Sequence, residues 1–174
     1  FSKNYFTHKF SKLGYTNREY KNFDISSIDE FEAIVKGQTH LAGLNVTIPY
    51  KEAVIPLLQK IDPQAREIGA VNTIKVMPDG QLIGFNTDVY GFEKSIHSLF
   101  TTFHRKALIL GTGGASKAVA YVLNKLNIEF LFVSRSPEHN TAIQYLELTR
   151  ELMEEFQSVI NCTPPGTYPK TEEF

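Results

Sequence analysis

The run Ala107-Leu108-Ile109-Leu110-Gly111-Thr112-Gly113-Gly114-Ala115-Ser116 decides the fold. Its first four residues are apolar without alternation, the pattern of a strand buried on both faces of a parallel sheet. Ala115, Ala118, Val119, Val122, Leu123 and Leu126 then recur at helical spacing. A Gly-x-Gly-x-x-Gly turn between such a strand and such a helix signals dinucleotide binding. The glycines let the backbone turn tightly and approach a pyrophosphate, and the N–H groups of the next helix receive its charge. Gly111 and Gly113 match, Ser116 takes the third place, and Gly114 and Ala115 stand before it. A tight strand-to-helix turn without a ligand is the alternative reading.

Downstream, Phe130-Leu131-Phe132-Val133 predicts a second buried strand, followed by Ser134-Arg135-Ser136. An NAD site places Asp or Glu near there for the ribose hydroxyls, whereas arginine suits the 2′-phosphate of NADP. No acid appears before Glu138, so Arg135 favours NADP over a solvated surface role. Residues 147–156 are expected to be helical and Ser158–Asn161 a third strand. That order, β-α-β then α-β, marks a parallel sheet. Upstream, Asp88 to about Phe100 has a helical pattern with Phe92, Ile96, Leu99 and Phe100 on one side. The expected class is therefore α/β with two domains. Residues 1–87 would form an N-terminal α/β domain and 88–174 a Rossmann-like dinucleotide-binding domain, with 88–103 as the bridging helix.

In the first half, Phe6, Phe10 and Leu13 predict an amphipathic helix that Gly14 stops. Residues 20–25 are expected as a strand. Ser27 and Glu30 have capping-box spacing for a helix to about Val35. Leu44, Val46 and Ile48 alternate with Asn45 and Thr47 as a strand that Pro49 ends, and Lys51–Leu58 follows as a helix. Asn72–Met77 and Gln81–Phe85 flank Pro78-Asp79-Gly80, a turn in which proline presets φ and glycine accepts φ > 0. Asn45, Thr47, Lys51, Asn72 and Asn86-Thr87-Asp88 place polar groups where strands give way to helices, where α/β sites are built. Singly, each has an ordinary reading as a cap, a turn residue or a solvated group.

Composition limits the alternatives. With 18 Lys+Arg against 19 Asp+Glu the net charge is −1, which argues against nucleic acid as the main partner. Thirteen Phe and 8 Tyr in a nearly neutral chain argue against disorder. The longest uncharged stretches, 37–50 and 156–169, contain polar residues and are too short to span a membrane. One cysteine, Cys162, forms no internal disulfide, so a cytoplasmic, reducing setting is expected. His8, His40, His97, His104 and His139 show no ligand spacing, and no metal is expected. Phe1 in place of Met, and an end just beyond a Pro-rich turn, read as a fragment.

Taken in order, several motifs carry a resemblance. Asn45-Val46-Thr47-Ile48-Pro49-Tyr50-Lys51 resembles the substrate motif of shikimate dehydrogenases. Ala70-Val71-Asn72-Thr73 and Gly84-Phe85-Asn86-Thr87-Asp88, with Gly91-Phe92, are similar to further motifs of that family. So are the turn at 111–116 and Ile160-Asn161-Cys162-Thr163-Pro164 with Gly166. The order and spacing agree over nearly the whole chain. The resemblance implies NADPH-dependent reduction of 3-dehydroshikimate to shikimate, in aromatic amino-acid and chorismate biosynthesis. It implies Lys51 and Asp88 as the catalytic pair, and Ser2, Thr47, Asn72 and Asp88 as substrate ligands. For the cofactor it implies Gly111, Gly113, Gly114, Ala115 and Thr163, beside the Ser134, Arg135 and Ser136 read above. Val89 stands where the family more often has glycine, and Thr167 where methionine is common. The family's first strand, the first serine of its Ser-x-Ser motif and its C-terminal helices have no counterpart here. The rival readings are an NAD-preferring quinate/shikimate dehydrogenase, which would carry an acid after strand two, and a non-catalytic binding relative, against which Lys51 and Asp88 argue.

Overall fold

A computed structural model of the chain describes residues 2–136 and 142–165. It contains two compact units, 1–41 and 42–174, each taken by itself below.

The first unit opens with α1 (Ser2–Lys12). The amide of Gly14 bonds the Ser11 carbonyl, and its φ of +70° ends the helix as expected of a glycine there. Phe6 is half-buried and stacks on Tyr20, ring centroids 4.9 Å apart. Residues 20–25 do not join a sheet among the described residues, so the expected strand is corrected to an irregular segment. A strand needs a hydrogen-bonding neighbour that local pattern does not supply. Ser27 caps a 3-10 turn (Ile28–Glu30) that runs into α2 (Phe31–Gly37), with both halves of the capping box formed.

The second unit holds two sheets. β1 (Gly43–Asn45) pairs antiparallel with β3 (Thr73–Val76), which pairs antiparallel with β4 (Leu82–Phe85). β2 (Lys60–Ile61) joins β4 in parallel, giving the order β1-β3-β4-β2. The expected hairpin is present, with Gly80 at φ +83°. β1 stops at Asn45 rather than at Ile48, although the Val46 amide still bonds the Asn72 carbonyl. The expected helix from Lys51 is α3 (Tyr50–Ala53) followed by a 3-10 turn (Ile55–Leu57), because Pro56 has no amide to continue an α-helix. α4 (Pro63–Ile68) was not legible as a helix from its short apolar pattern; Asp62 caps it through the amides of Gln64 and Ala65.

α5 (Asp88–Ile96) leads toward the second sheet and ends four residues before Phe100. β5 (Lys106–Leu110), α6 (Gly114–Lys125), β6 (Glu129–Ser134), β7 (Ala142–Gln144), α7 (Arg150–Glu154) and β8 (Ser158–Asn161) follow. A 3-10 turn (Tyr145–Glu147) and α7 replace the single expected helix over 147–156. All pairings are parallel and the order is β7-β6-β5-β8. The first strand of this sheet thus lies between the second and the fourth, the arrangement of a mononucleotide-binding half. β7 escapes sequence reading because it is three residues long.

Ile68, Ala70, Val89, Ile96, Ala118 and Val122 form one buried cluster, with Phe92, Phe100 and Tyr121 against it. It packs α5 on α6 and ties the 68–70 turn to both. A second cluster joins Ala107 and Ile109 of β5 to Val119, Ala120 and Leu123 of α6.

Gly84 of β4 is buried beneath Leu58 and Val71, and a Cβ there would stand 2.5 Å from Leu58 Cδ1 and 2.9 Å from Val71 Cγ2. Gly84→Ala should therefore destabilise the second unit by about 1–3 kcal/mol. Thermal melting checks this, and an unchanged melting temperature would contradict the packing described.

Candidate active site

Lys51 and Asp88 are 37 residues apart in sequence, yet Lys51 Nζ donates to Asp88 Oδ2 at 2.7 Å. The side chains are 14% and 37% exposed, so the lysine is sheltered and the carboxylate opens to solvent. Asp88 stands in the first turn of α5, where the unpaired amides and helix dipole favour a negative charge. Lys51 is anchored at its backbone too, for its carbonyl accepts the Val71 amide at 2.8 Å.

Two asparagines tie the 70–72 and 86–88 segments together. Asn72 Oδ1 accepts from the Thr87 amide at 2.9 Å, the Thr87 hydroxyl at 3.1 Å and the Thr73 hydroxyl at 3.0 Å. Asn86 Nδ2 donates to the Ala70 carbonyl at 3.0 Å, while its Oδ1 accepts the Asp88 amide at 3.0 Å and the Val89 amide at 3.4 Å. Thr47 is exposed on the link between β1 and α3, its carbonyl accepting the Tyr50 amide. Ser2 is exposed at the start of α1 in the first unit.

The glycine turn lies beside this pair. Gly111 has φ +101°, and a Cβ there would meet Thr163 Cγ2 at 3.1 Å and the Cys162 carbonyl oxygen at 3.4 Å. A side chain at 111 would thus be strained by conformation and crowded by the chain leaving β8. Gly113 caps α6 without a side-chain bond, and nothing lies within 4 Å of where its Cβ would stand. The first amides of this 12-residue helix have no acceptor within the helix. The turn sits at the carboxyl ends of β5 and β8, where strand order reverses and α/β sheets open a ligand crevice. These features fit a bound pyrophosphate.

Ala115 is half-buried in the first turn of α6. A Cβ on Gly114 would lie 3.0 Å from Lys51 Cβ and 3.3 Å from both Lys51 Cδ and Ala70 Cβ. The bare Gly114 lets the Lys51 stem rest on the start of α6. Lys117, one turn on, pairs with Glu52. Ser134, half-buried, and the exposed Arg135 and Ser136 follow β6, and Ser134 Oγ accepts the Ser136 amide at 3.3 Å. No ion pair engages Arg135 among the described residues. Thr163 is fixed by Asn161, whose Oδ1 accepts the Thr163 amide at 2.9 Å. Glu138, His139, Gly166 and Thr167 lie outside the described residues.

Known proteins resemble this chain in sequence and fold. Residues 1–74 match the family profile of the shikimate dehydrogenase substrate binding domain. The shikimate dehydrogenase (NADP(+)) of Staphylococcus aureus strain Newman is 38% identical over 157 residues, which are 84% of this chain and 58% of that protein. The chain belongs to the shikimate dehydrogenase family. It spans about 58% of the length of that curated relative. The crystal structure of shikimate dehydrogenase 1 from Peptoclostridium difficile superimposes with TM-score 0.78 at 34% identity, over 97% of this chain and 63% of that one. The shikimate 5-dehydrogenase of Thermus thermophilus, solved with NADP(H) and shikimate, gives 0.77 at 29% identity over 95% and 64%. The family's two-part architecture, an N-terminal substrate domain and a Rossmann-like domain, is the α/β class expected from the sequence.

Three features of this family member were not singled out as site residues from sequence. Thr87 and Asn86 stood out only as polar groups between a strand and a helix, with no role assigned, and the contact of Gly114 with Lys51 depends on tertiary packing. Cys162 beside Gly111 has its thiol pushed up to about 11 by burial, with the charge of Lys51 pulling the other way. Burial disfavours the thiolate, so only about one part in ten thousand is reactive at neutral pH. Alkylation of Cys162 by iodoacetamide should be roughly a hundredfold slower than that of a free thiol near pH 7 and should still be rising at pH 10. A rate that levels off near pH 8–9 would contradict the burial described.

Proposed function

We propose that this chain carries the catalytic pair of an NADP-dependent oxidoreductase that reduces 3-dehydroshikimate to shikimate, a step of aromatic amino-acid and chorismate biosynthesis. The observation that carries the reading is the 2.7 Å Lys51–Asp88 contact, with the Lys51 stem resting on the start of the helix after the glycine turn. On this reading a proton donor and a dinucleotide cradle lie side by side. The relatives' names, shikimate dehydrogenase (NADP(+)) and a structure with NADP(H) and shikimate, support the same substrate and cofactor.

NADPH, when bound, supplies the hydride that reduces the carbonyl carbon. The chain's residues manage the charge that this leaves on oxygen. The Lys51 ammonium donates to the carbonyl oxygen, stabilises the developing alkoxide and delivers the proton that completes the hydroxyl. Asp88 orients the ammonium and accepts from a neighbouring substrate hydroxyl. Asn72 has its carbonyl oxygen taken up by Thr73 and Thr87, so its amino group is the part turned to a substrate hydroxyl. Thr47 binds a further hydroxyl.

Gly111, Gly113, Gly114 and Ala115 hold the pyrophosphate at the start of α6, with Thr163 shaping the opposite wall. Ser134, Arg135 and Ser136 hold the 2′-phosphate. We assign residues 1–87 to the substrate domain and 88–174 to the dinucleotide domain, with 88–103 as the bridge. The placement of one sheet in 43–85 and the other in 106–161 supports that division. A cytoplasmic enzyme accords with the lone free Cys162.

In the complete enzyme, Lys51→Ala should lower kcat by about 100- to 10,000-fold while leaving the dissociation constant of NADP near its wild-type value. Steady-state kinetics with cofactor titration checks this, and a near-normal kcat would overturn the role. Arg135 can form a charge-assisted contact to the 2′-phosphate, worth roughly 1.5–3 kcal/mol, or about ten- to hundredfold. Arg135→Ala should erase most of the NADP preference by weakening NADP and not NAD, read as kcat/KM for each cofactor. A wild type that prefers NAD would instead favour the quinate/shikimate reading.

A further inference from the structure

Asn86 is 6% exposed and makes three hydrogen bonds, yet it contributes nothing to the proposed chemistry directly. Its carbonyl oxygen accepts the amides two and three residues ahead, the geometry of a helix cap. Thr87 has helical angles, φ −92° and ψ −9°, so α5 is physically capped by Asn86. Its amino group reaches across to the Ala70 carbonyl, and only this amide orientation satisfies all three partners.

These bonds close a ring. The Lys51 carbonyl accepts the Val71 amide, and the adjoining Ala70 carbonyl accepts Asn86 Nδ2. Asn86 Oδ1 accepts the Asp88 amide, and Asp88 Oδ2 accepts Lys51 Nζ. The lysine is thus held at its backbone and at its ammonium by one circuit, and Asn86 is the member joining the two halves. We propose that Asn86 is the positioning residue for the Lys51–Asp88 pair, setting the carboxylate against the lysine by clamping the start of α5 to the Ala70 carbonyl. This rests on the reading of Lys51 and Asp88 as the reacting pair.

The test separates clamp from cap in the complete enzyme. Asn86→Ser keeps a hydroxyl that caps α5 but is too short to reach Ala70. Asn86→Asp keeps the volume and the acceptors and loses the donor. With the clamp gone, kcat should fall about tenfold to a hundredfold, the loss expected of a misplacement of about 1 Å. The KM for NADP should stay within about twofold, since that site is formed by other residues, and the pH profile of kcat should shift. Lys51, freed from its partner, should also react several-fold faster with an amine-acylating reagent, read by mass spectrometry against the exposed lysines. Near-normal kcat, pH profile and Lys51 labelling in either folded variant would overturn the proposal. Failure of both variants to fold, judged by melting, would do so as well, by making Asn86 a residue of the fold alone. A wild type without turnover but with variants that unshield Lys51 would instead strike the functional reading and leave the clamp standing.

Discussion

The contact between Lys51 Nζ and Asp88 Oδ2 is the interaction on which the proposed site depends. A sheltered ammonium is costly to desolvate unless it is paired and held. The sequence separates the partners by 37 residues, so the fold must supply the pairing. It does so with ordinary parts. A hairpin returns β4 beside β3, two asparagines cross-link the ends of those strands, and α5 begins at the carboxylate. The helix dipole at that point favours the negative charge of Asp88.

The second constraint is closeness. Gly114 is bare where a methyl group would crowd the Lys51 stem, and Gly111 is bare where one would crowd Thr163. One glycine brings the lysine to the start of α6, and the other lets the turn close over the carboxyl ends of β5 and β8. The buried cluster of Ala70, Val89, Ala118 and Val122 holds these approaches in place. On the proposed reading the same glycine-rich turn serves two purposes, an anion cradle and a docking face for Lys51.

The sequence made the parallel sheet legible because continuous apolar runs and a helix with regular apolar spacing flank the turn at 111–116. It made the hairpin legible through Pro78-Asp79-Gly80, and the capping box through Ser27 and Glu30. It misled at residues 20–25, where local alternation has no partner strand, and over 51–58, where Pro56 breaks an otherwise helical pattern. β7 and α4 were too short for periodicity to reveal. At the site, residue types and motif order singled out Lys51, Asp88 and Asn72. The clamp at Asn86 and the approach of Gly114 could not be read, since both depend on which backbone carbonyl or side-chain stem lies across the fold.

The most direct test of the account is the reaction itself, followed in the complete enzyme with 3-dehydroshikimate and NADPH. The account predicts loss of the reduced-nicotinamide absorbance, matched mole for mole by shikimate in the product mixture. A folded enzyme that binds NADPH and leaves 3-dehydroshikimate unchanged would contradict it.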